Sequence, residues 1–131
     1  MKGNSFVLLI ILFLCVGCFD IFSEEQKEII GNISVINPNN QEDKGYKLII
    51  YEEQINKNVI EGYVVDVNGN DTILLVKAVN KRDCYEHYYE VKHRKGQAII
   101  KSVEIDPTKY LNLLNHIDSD IEFQAEMPDC P

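Results

Sequence analysis

The groups able to do chemistry in this chain are few and widely spread. Four cysteines (Cys15, Cys18, Cys84 and Cys130) and three histidines (His87, His93 and His116) stand among 21 acidic and 13 basic residues. Cys15 and Cys18, in "FLCVGCFD", have the C-x-x-C spacing that can ligate a metal or cycle as a redox pair. They also close an unbroken apolar run from Phe6 to Val16. His87 and His93 fall on one predicted strand with the same parity, so both face one side. Six residues at about 3.3 Å each put them roughly 20 Å apart, too far to share a metal. "DVNGND", 66–71, begins like a calcium loop, but Asp71 and Lys77 occupy the positions where glycine and glutamate belong. "DSDIE", 118–122, departs in the same way, with Phe123 in the glycine position. Both read as turn and surface carboxylates, and no metal site is expected.

Nucleophilic and cofactor chemistry find no purchase either. The chain has no G-x-S-x-G elbow, no H-E-x-x-H, no phosphate-binding loop and no dinucleotide fingerprint. Paired carboxylates for glycoside chemistry are available in an acidic chain, but a fold this small has little room for a cleft walled by loops. The expectation is a non-enzyme without a cofactor. The most suggestive stretch is "YEHYY", 85–89, in which Tyr85, His87 and Tyr89 share a face. Tyrosine offers large contact area at low entropy cost, which makes this trio a candidate binding surface. Aromatic residues also favour strands for packing reasons alone.

The elements that must position these groups are mostly strands. "IIGNISVI", 29–36, alternates, with Ile29, Ile33 and Val35 on one face and Asn32 and Ser34 on the other, as in a half-buried strand. "NPNNQEDKG", 37–45, is a turn-rich loop, and "YKLIIYEE", 46–53, is a second strand, apolar on both faces at its middle. "VIEGYVVDV" and "TILLVKAV" flank "NGND" as a hairpin, because Asn-Gly supplies the positive φ angles of a tight turn. "CYEHYYEVKH" and "QAIIKSVEI" flank "RKG" as another. Asp106-Pro107 starts a short helix with Tyr110, Leu111, Leu114 and Ile117 on one face, laid over the sheet. "IEFQAEM" returns as a last strand. The expected class is α+β, a mainly antiparallel β meander of about five to six strands with one short C-terminal helix.

The apolar run sets the address. At about 1.5 Å per residue it spans roughly 16 Å, half of a ~30 Å hydrocarbon core, which suits a secretory signal behind the charged Lys2 rather than a membrane-spanning helix. "LCVGC", 14–18, resembles the lipobox of bacterial lipoproteins: a leucine, two small residues and an obligatory cysteine. The resemblance implies a signal peptide over residues 1–17, a thioether-linked diacylglycerol with fatty acyl chains on Cys18, and a lipidated tether over 18–28. Two or more acyl chains anchor stably where one is marginal. The globular domain then covers 29–131, in the bacterial cell envelope, facing periplasm or exterior. With Cys15 lost, Cys84 and Cys130 remain, and an even remainder in an oxidising compartment predicts a structural disulfide between them. The mature region is broadly similar to small bacterial lipoproteins of uncharacterised function, which transfer no site residues.

A net charge of −8 and a pI near 4.8 count against nucleic-acid binding, which needs a basic stripe. They suit a cationic protein partner. The expected function is a non-enzymatic binding module of the envelope, of the immunity-protein or lysozyme-inhibitor type. The alternative is a structural or assembly lipoprotein with no discrete ligand.

Overall fold

The computed structural model describes residues 25–38 and 45–130. The signal segment, Cys18 and the tether up to residue 24 lie outside the described residues. The first sheet departs most from expectation. β1 (Glu25–Ile30) and β2 (Ile33–Asn37) form a hairpin where one strand was expected, because Gly31 turns the chain at φ 55°. β1 begins within the residues given to the tether. β3 (Lys47–Glu52) is likewise followed by a fourth strand, β4 (Ile55–Asn58), across a turn with Glu53 and Gln54 at φ 52° and 67°. Strands β1 to β4 pair antiparallel in that order.

The remaining chain follows the expected pattern more closely. β5 (Tyr63–Gly69) and β6 (Ile73–Val79) form the expected hairpin, but Asn68 and Gly69 lie inside β5, paired with Leu75 and Leu74 and without positive φ, and the turn falls at residues 70–72. There the Asn70 side-chain oxygen accepts from the backbone N–H groups of Thr72 at 3.0 Å and Ile73 at 3.2 Å. β7 (Glu86–His93) and β8 (Ile99–Ile105) form the next hairpin, with Lys95 and Gly96 at positive φ in its turn. β9 (Ile121–Gln124) comes back to pair with β5, giving a five-stranded sheet in the order β8-β7-β6-β5-β9. The result is nine strands in two antiparallel sheets among the described residues, rather than one meander of five to six. The α+β class holds, with one helix.

One core lies between the sheets. Ile33, Val35, Leu48 and Ile50 come from the first sheet, and Val64, Val67, Leu74, Val76, Ala78, Val91 and Phe123 from the second. β6 is central and buried on both faces, which is why its sequence reads as a nearly continuous apolar run. The sheets are stitched where the Val64 N–H donates to the Tyr46 carbonyl at 2.8 Å, and where the Asn32 N–H donates to the Gly96 carbonyl at 2.7 Å. At the second contact a Cβ on Gly31 would stand 2.8 Å from the Gly96 oxygen, so the backbones meet only because both turns carry glycine.

The helix, α1 (Pro107–His116), starts as predicted: the Asp106 carboxylate accepts from the Lys109 N–H at 2.8 Å and Pro107 opens the first turn. It covers the outer face of the five-stranded sheet, with the Tyr110 ring 4.7 Å from that of Tyr88. Leu111 does not belong to the covered face; it is 57% exposed. The sheet side is formed by Tyr110, Leu113, Leu114 and Ile117, because the helix turns its i, i+3, i+4, i+7 row inward. No helix among the described residues is long and apolar enough to cross a membrane.

Candidate functional site

The turn between β6 and β7, residues 80–85, carries charged side chains on a fixed backbone. The Cys84 N–H donates to the Asn80 carbonyl at 2.8 Å, and the Asn80 side chain accepts from the Arg82 N–H at 3.0 Å. The Asp83 carboxylate accepts from the Tyr85 N–H at 2.9 Å. Cys84 adopts φ 60°, a left-handed conformation, and is bonded to Cys130 with Cα atoms 5.9 Å apart. The disulfide therefore ties the last described residues to this corner. Such closure of a long loop contributes about 2–4 kcal/mol in ordinary proteins.

On one side of the corner His87 lies between two carboxylates. Its Nδ1 is 2.6 Å from Glu104 Oε1 and its Nε2 is 3.0 Å from Asp83 Oδ2. Carboxylates only accept, so both ring nitrogens donate and the ring is an imidazolium. The Glu104 hydrogen bond, then the Asp83 hydrogen bond and charge, hold its pKa above the usual histidine value against the opposing effect of burial. Asp83 is held below the usual carboxylate value, chiefly by the Tyr85 N–H and then by His87. A ring with both nitrogens engaged and a proton on each is neither a metal ligand nor a general base. It is a clamp between β7, β8 and the corner.

The predicted binding trio is divided. Tyr85 stands out at the corner, 72% exposed. His87 is half-buried in its clamp, and Tyr89 packs against the core between the sheets. His93, expected to share the face of His87, is enclosed at the far end of β7. Its Nδ1 accepts from the Gly96 N–H at 2.8 Å and its Nε2 donates to the Asn70 carbonyl at 3.0 Å. Burial, the leading cause, lowers its pKa. Among the described residues no group of histidine, cysteine and carboxylate side chains could hold a metal. Asp118 and Ser119 shape the approach to β9, where the Ser119 hydroxyl accepts from the Gly69 N–H at 3.0 Å.

On the other side of the corner lies a groove of about 550 Å³. Its lining includes Lys47, Glu61, Tyr63, Asn80, Lys81 and Arg82. Lys81 Nζ sits 4.6 Å from the Tyr63 ring centroid and Lys47 Nζ sits 5.7 Å from it, both within cation–π range. Sequence reasoning missed this groove. "NKRD" gave a local basic pair, but Lys47 and Tyr63 reach the same place from other strands.

No family model matches the chain, and no curated protein or solved structure matches it either.

Proposed function

We propose that this chain is a lipid-anchored protein of the bacterial envelope, tethered through Cys18, that works as a non-enzymatic binding module for a cationic protein. The observation that carries the proposal is the corner around Tyr85. An aromatic ring 72% exposed projects from a turn held by the disulfide, and the Asp83 carboxylate accepts from the Tyr85 backbone N–H at 2.9 Å. Interfaces draw most of their energy from such rigid aromatic anchors, and surrounding charge selects and steers the partner. The net charge of −8 extends the same preference over the whole molecule. The engaged ring nitrogens of His87 and His93 support a binding role over a catalytic one.

The test is titration of the full-length protein against cationic cell-wall hydrolases, a lysozyme and an amidase, at low and high ionic strength. Saturable binding that weakens as salt rises, and weakens at least about tenfold in Tyr85→Ala, is the expected result. No binding at low ionic strength, or binding indifferent to Tyr85, overturns the proposal.

A further inference from the structure

A second groove lies at the pole of the molecule away from the Tyr85 corner. Its lining is Asn32, Tyr51, Glu52, Glu53 and Gln97, around a volume of about 650 Å³. The start of β3 bonds to the hairpin that leads to the corner, through the Val64 N–H and the Tyr46 carbonyl. The groove sits at the other end of β3, a strand length of about 20 Å away. We infer that this groove takes an arginine side chain presented by the cationic partner.

Backbone hydrogen bonds bring the lining together. The Tyr51 N–H donates to the Asn32 carbonyl at 2.9 Å, and the Asn32 N–H donates to the Gly96 carbonyl at 2.7 Å, next to Gln97. Glu52 and Glu53 follow Tyr51 directly. The β1–β2, β3–β4 and β7–β8 turns thus share one rim, and the rim is set before any ligand arrives.

The side chains on that rim are available. Glu52 has a cation of its own, Lys57 at 3.5 Å. The Glu53 carboxylate, the Tyr51 ring and the Asn32 and Gln97 amides make no side-chain hydrogen bond, ion pair or ring contact among the described residues. The Tyr51 ring is 51% exposed. Charge fixes the sign of the occupant, because the described lining holds two carboxylates and no basic side chain. An apolar or anionic occupant would strip water from Glu53 and give it nothing in return. The other groups select arginine over lysine. A guanidinium stacks on an aromatic face and carries five donors in a planar fork, which a carboxylate and two amide oxygens accept. An ammonium is a compact, strongly hydrated point charge and gains less from the same surroundings.

Position agrees with the tethered reading. An anchor at Cys18 joins the domain at Glu25, where β1 starts, and the groove is at the other end of β1. The inference rests on the proposed function for the nature of the partner, but it does not involve Tyr85.

The experiment follows the backbone amide shifts of the isotope-labelled full-length protein by NMR as N-acetyl-arginine amide is added. N-acetyl-lysine amide and the uncharged N-acetyl-citrulline amide are titrated alongside. The expected result is saturable shifts at Asn32, Tyr51 to Gln54 and Gln97 with arginine, at least about threefold weaker binding of lysine, and no response to citrulline. Glu53→Gln weakens arginine binding about fivefold or more, and Tyr51→Leu removes the preference for arginine over lysine. Glu126→Gln, in the tail at the other pole, removes the same charge and leaves affinity within about twofold. The inference is overturned by the absence of saturable shifts, by shifts centred on residues 80–85, or by an equal response to citrulline. Unchanged affinity in a Glu53→Gln protein whose thermal melting matches the native one overturns it too. Cationic hydrolases that fail to bind while the arginine probe fills the groove overturn the partner reading alone.

Discussion

The two ends of β7 hold the same residue type on the same strand face in opposite protonation states. At the start, His87 is an imidazolium between Glu104 and Asp83, with its pKa raised by the hydrogen bonds and charges of both. At the end, His93 is a neutral ring between the Gly96 N–H and the Asn70 carbonyl, with its pKa lowered by burial. Parity and spacing are shared, so the difference comes from what the neighbouring elements bring up. The corner turn and β8 bring carboxylates to His87, in reach of water. The two hairpin turns close over His93 with backbone groups. One end of the strand is held by charge and the other by enclosed hydrogen bonds, and the second kind of hold is the harder to replace.

Breaking the enclosed end should have the largest effect. His93→Ala leaves the buried Gly96 N–H without its acceptor and opens a void where both turns converge. An unmet buried donor costs about 1–3 kcal/mol, and the lost packing adds to it. The expected loss is about 3 kcal/mol, read as a shift of the urea midpoint with an unchanged slope. A loss below about 1 kcal/mol would show that the ring is not what joins the turns.

The charged end should show a smaller effect with a distinctive pH signature. His87 has a folded pKa above its unfolded value near 6.5, so its contribution is complete below that pH and disappears as pH rises through the folded value. His93 runs the other way: its folded pKa lies below the unfolded one, so its contribution is complete above about 6.5 and is lost as pH falls toward the folded value. His87→Gln should therefore flatten the decline of stability on the alkaline side only. The amplitude should be under about 1 kcal/mol, because the Asp83 and Glu104 partners are well exposed and screened. Urea midpoints across neutral pH measure it, and a flattened acid limb instead would assign the wrong histidine to the clamp.

The same contrast explains what was legible in the sequence. Asp106-Pro107 before α1 and the long apolar run of β6 each carry their structure in a few adjacent residues, whereas the β5–β6 turn falls not on Asn68-Gly69 but on Asn70, whose side chain caps it. The turns that were missed do not. Gly31-Asn32 sits inside a run that alternates convincingly as one strand, and Glu53-Gln54 takes positive φ without glycine or asparagine. Leu111 was assigned to the buried side of α1 because an i, i+1 pair lies on the boundary of the stripe, and only the packing against β7 decides which member turns in. At the site, the pairing of Cys84 with Cys130 was readable, but the sequence did not separate the exposed Tyr85 from the core-packed Tyr89. The carboxylate partners of His87 and the basic groove were not readable, because Glu104, Lys47 and Tyr63 reach the corner only through sheet register.

The smallest effect is expected on the opposite face of β7, where a third polar group has neither kind of hold. Tyr110 seals α1 against the sheet with its ring, tilted against Tyr88 at 4.7 Å between centroids, but its hydroxyl is buried without a hydrogen-bond partner among the described residues. Burial, followed by the Asp66 charge, pushes its pKa up to about 12. The Asn68 amide works against that rise, yet it does not reach hydrogen-bonding geometry. The ring therefore stabilises the helix and the hydroxyl opposes it. Tyr110→Phe should keep the ring contact, remove the unmet donor and leave stability unchanged or raised by up to about 1 kcal/mol. The same measurement separates the two parts of the side chain. If Tyr110→Phe lowers the urea midpoint as a satisfied tyrosine would, the hydroxyl has a partner under the helix, and this face is held as the His93 end is.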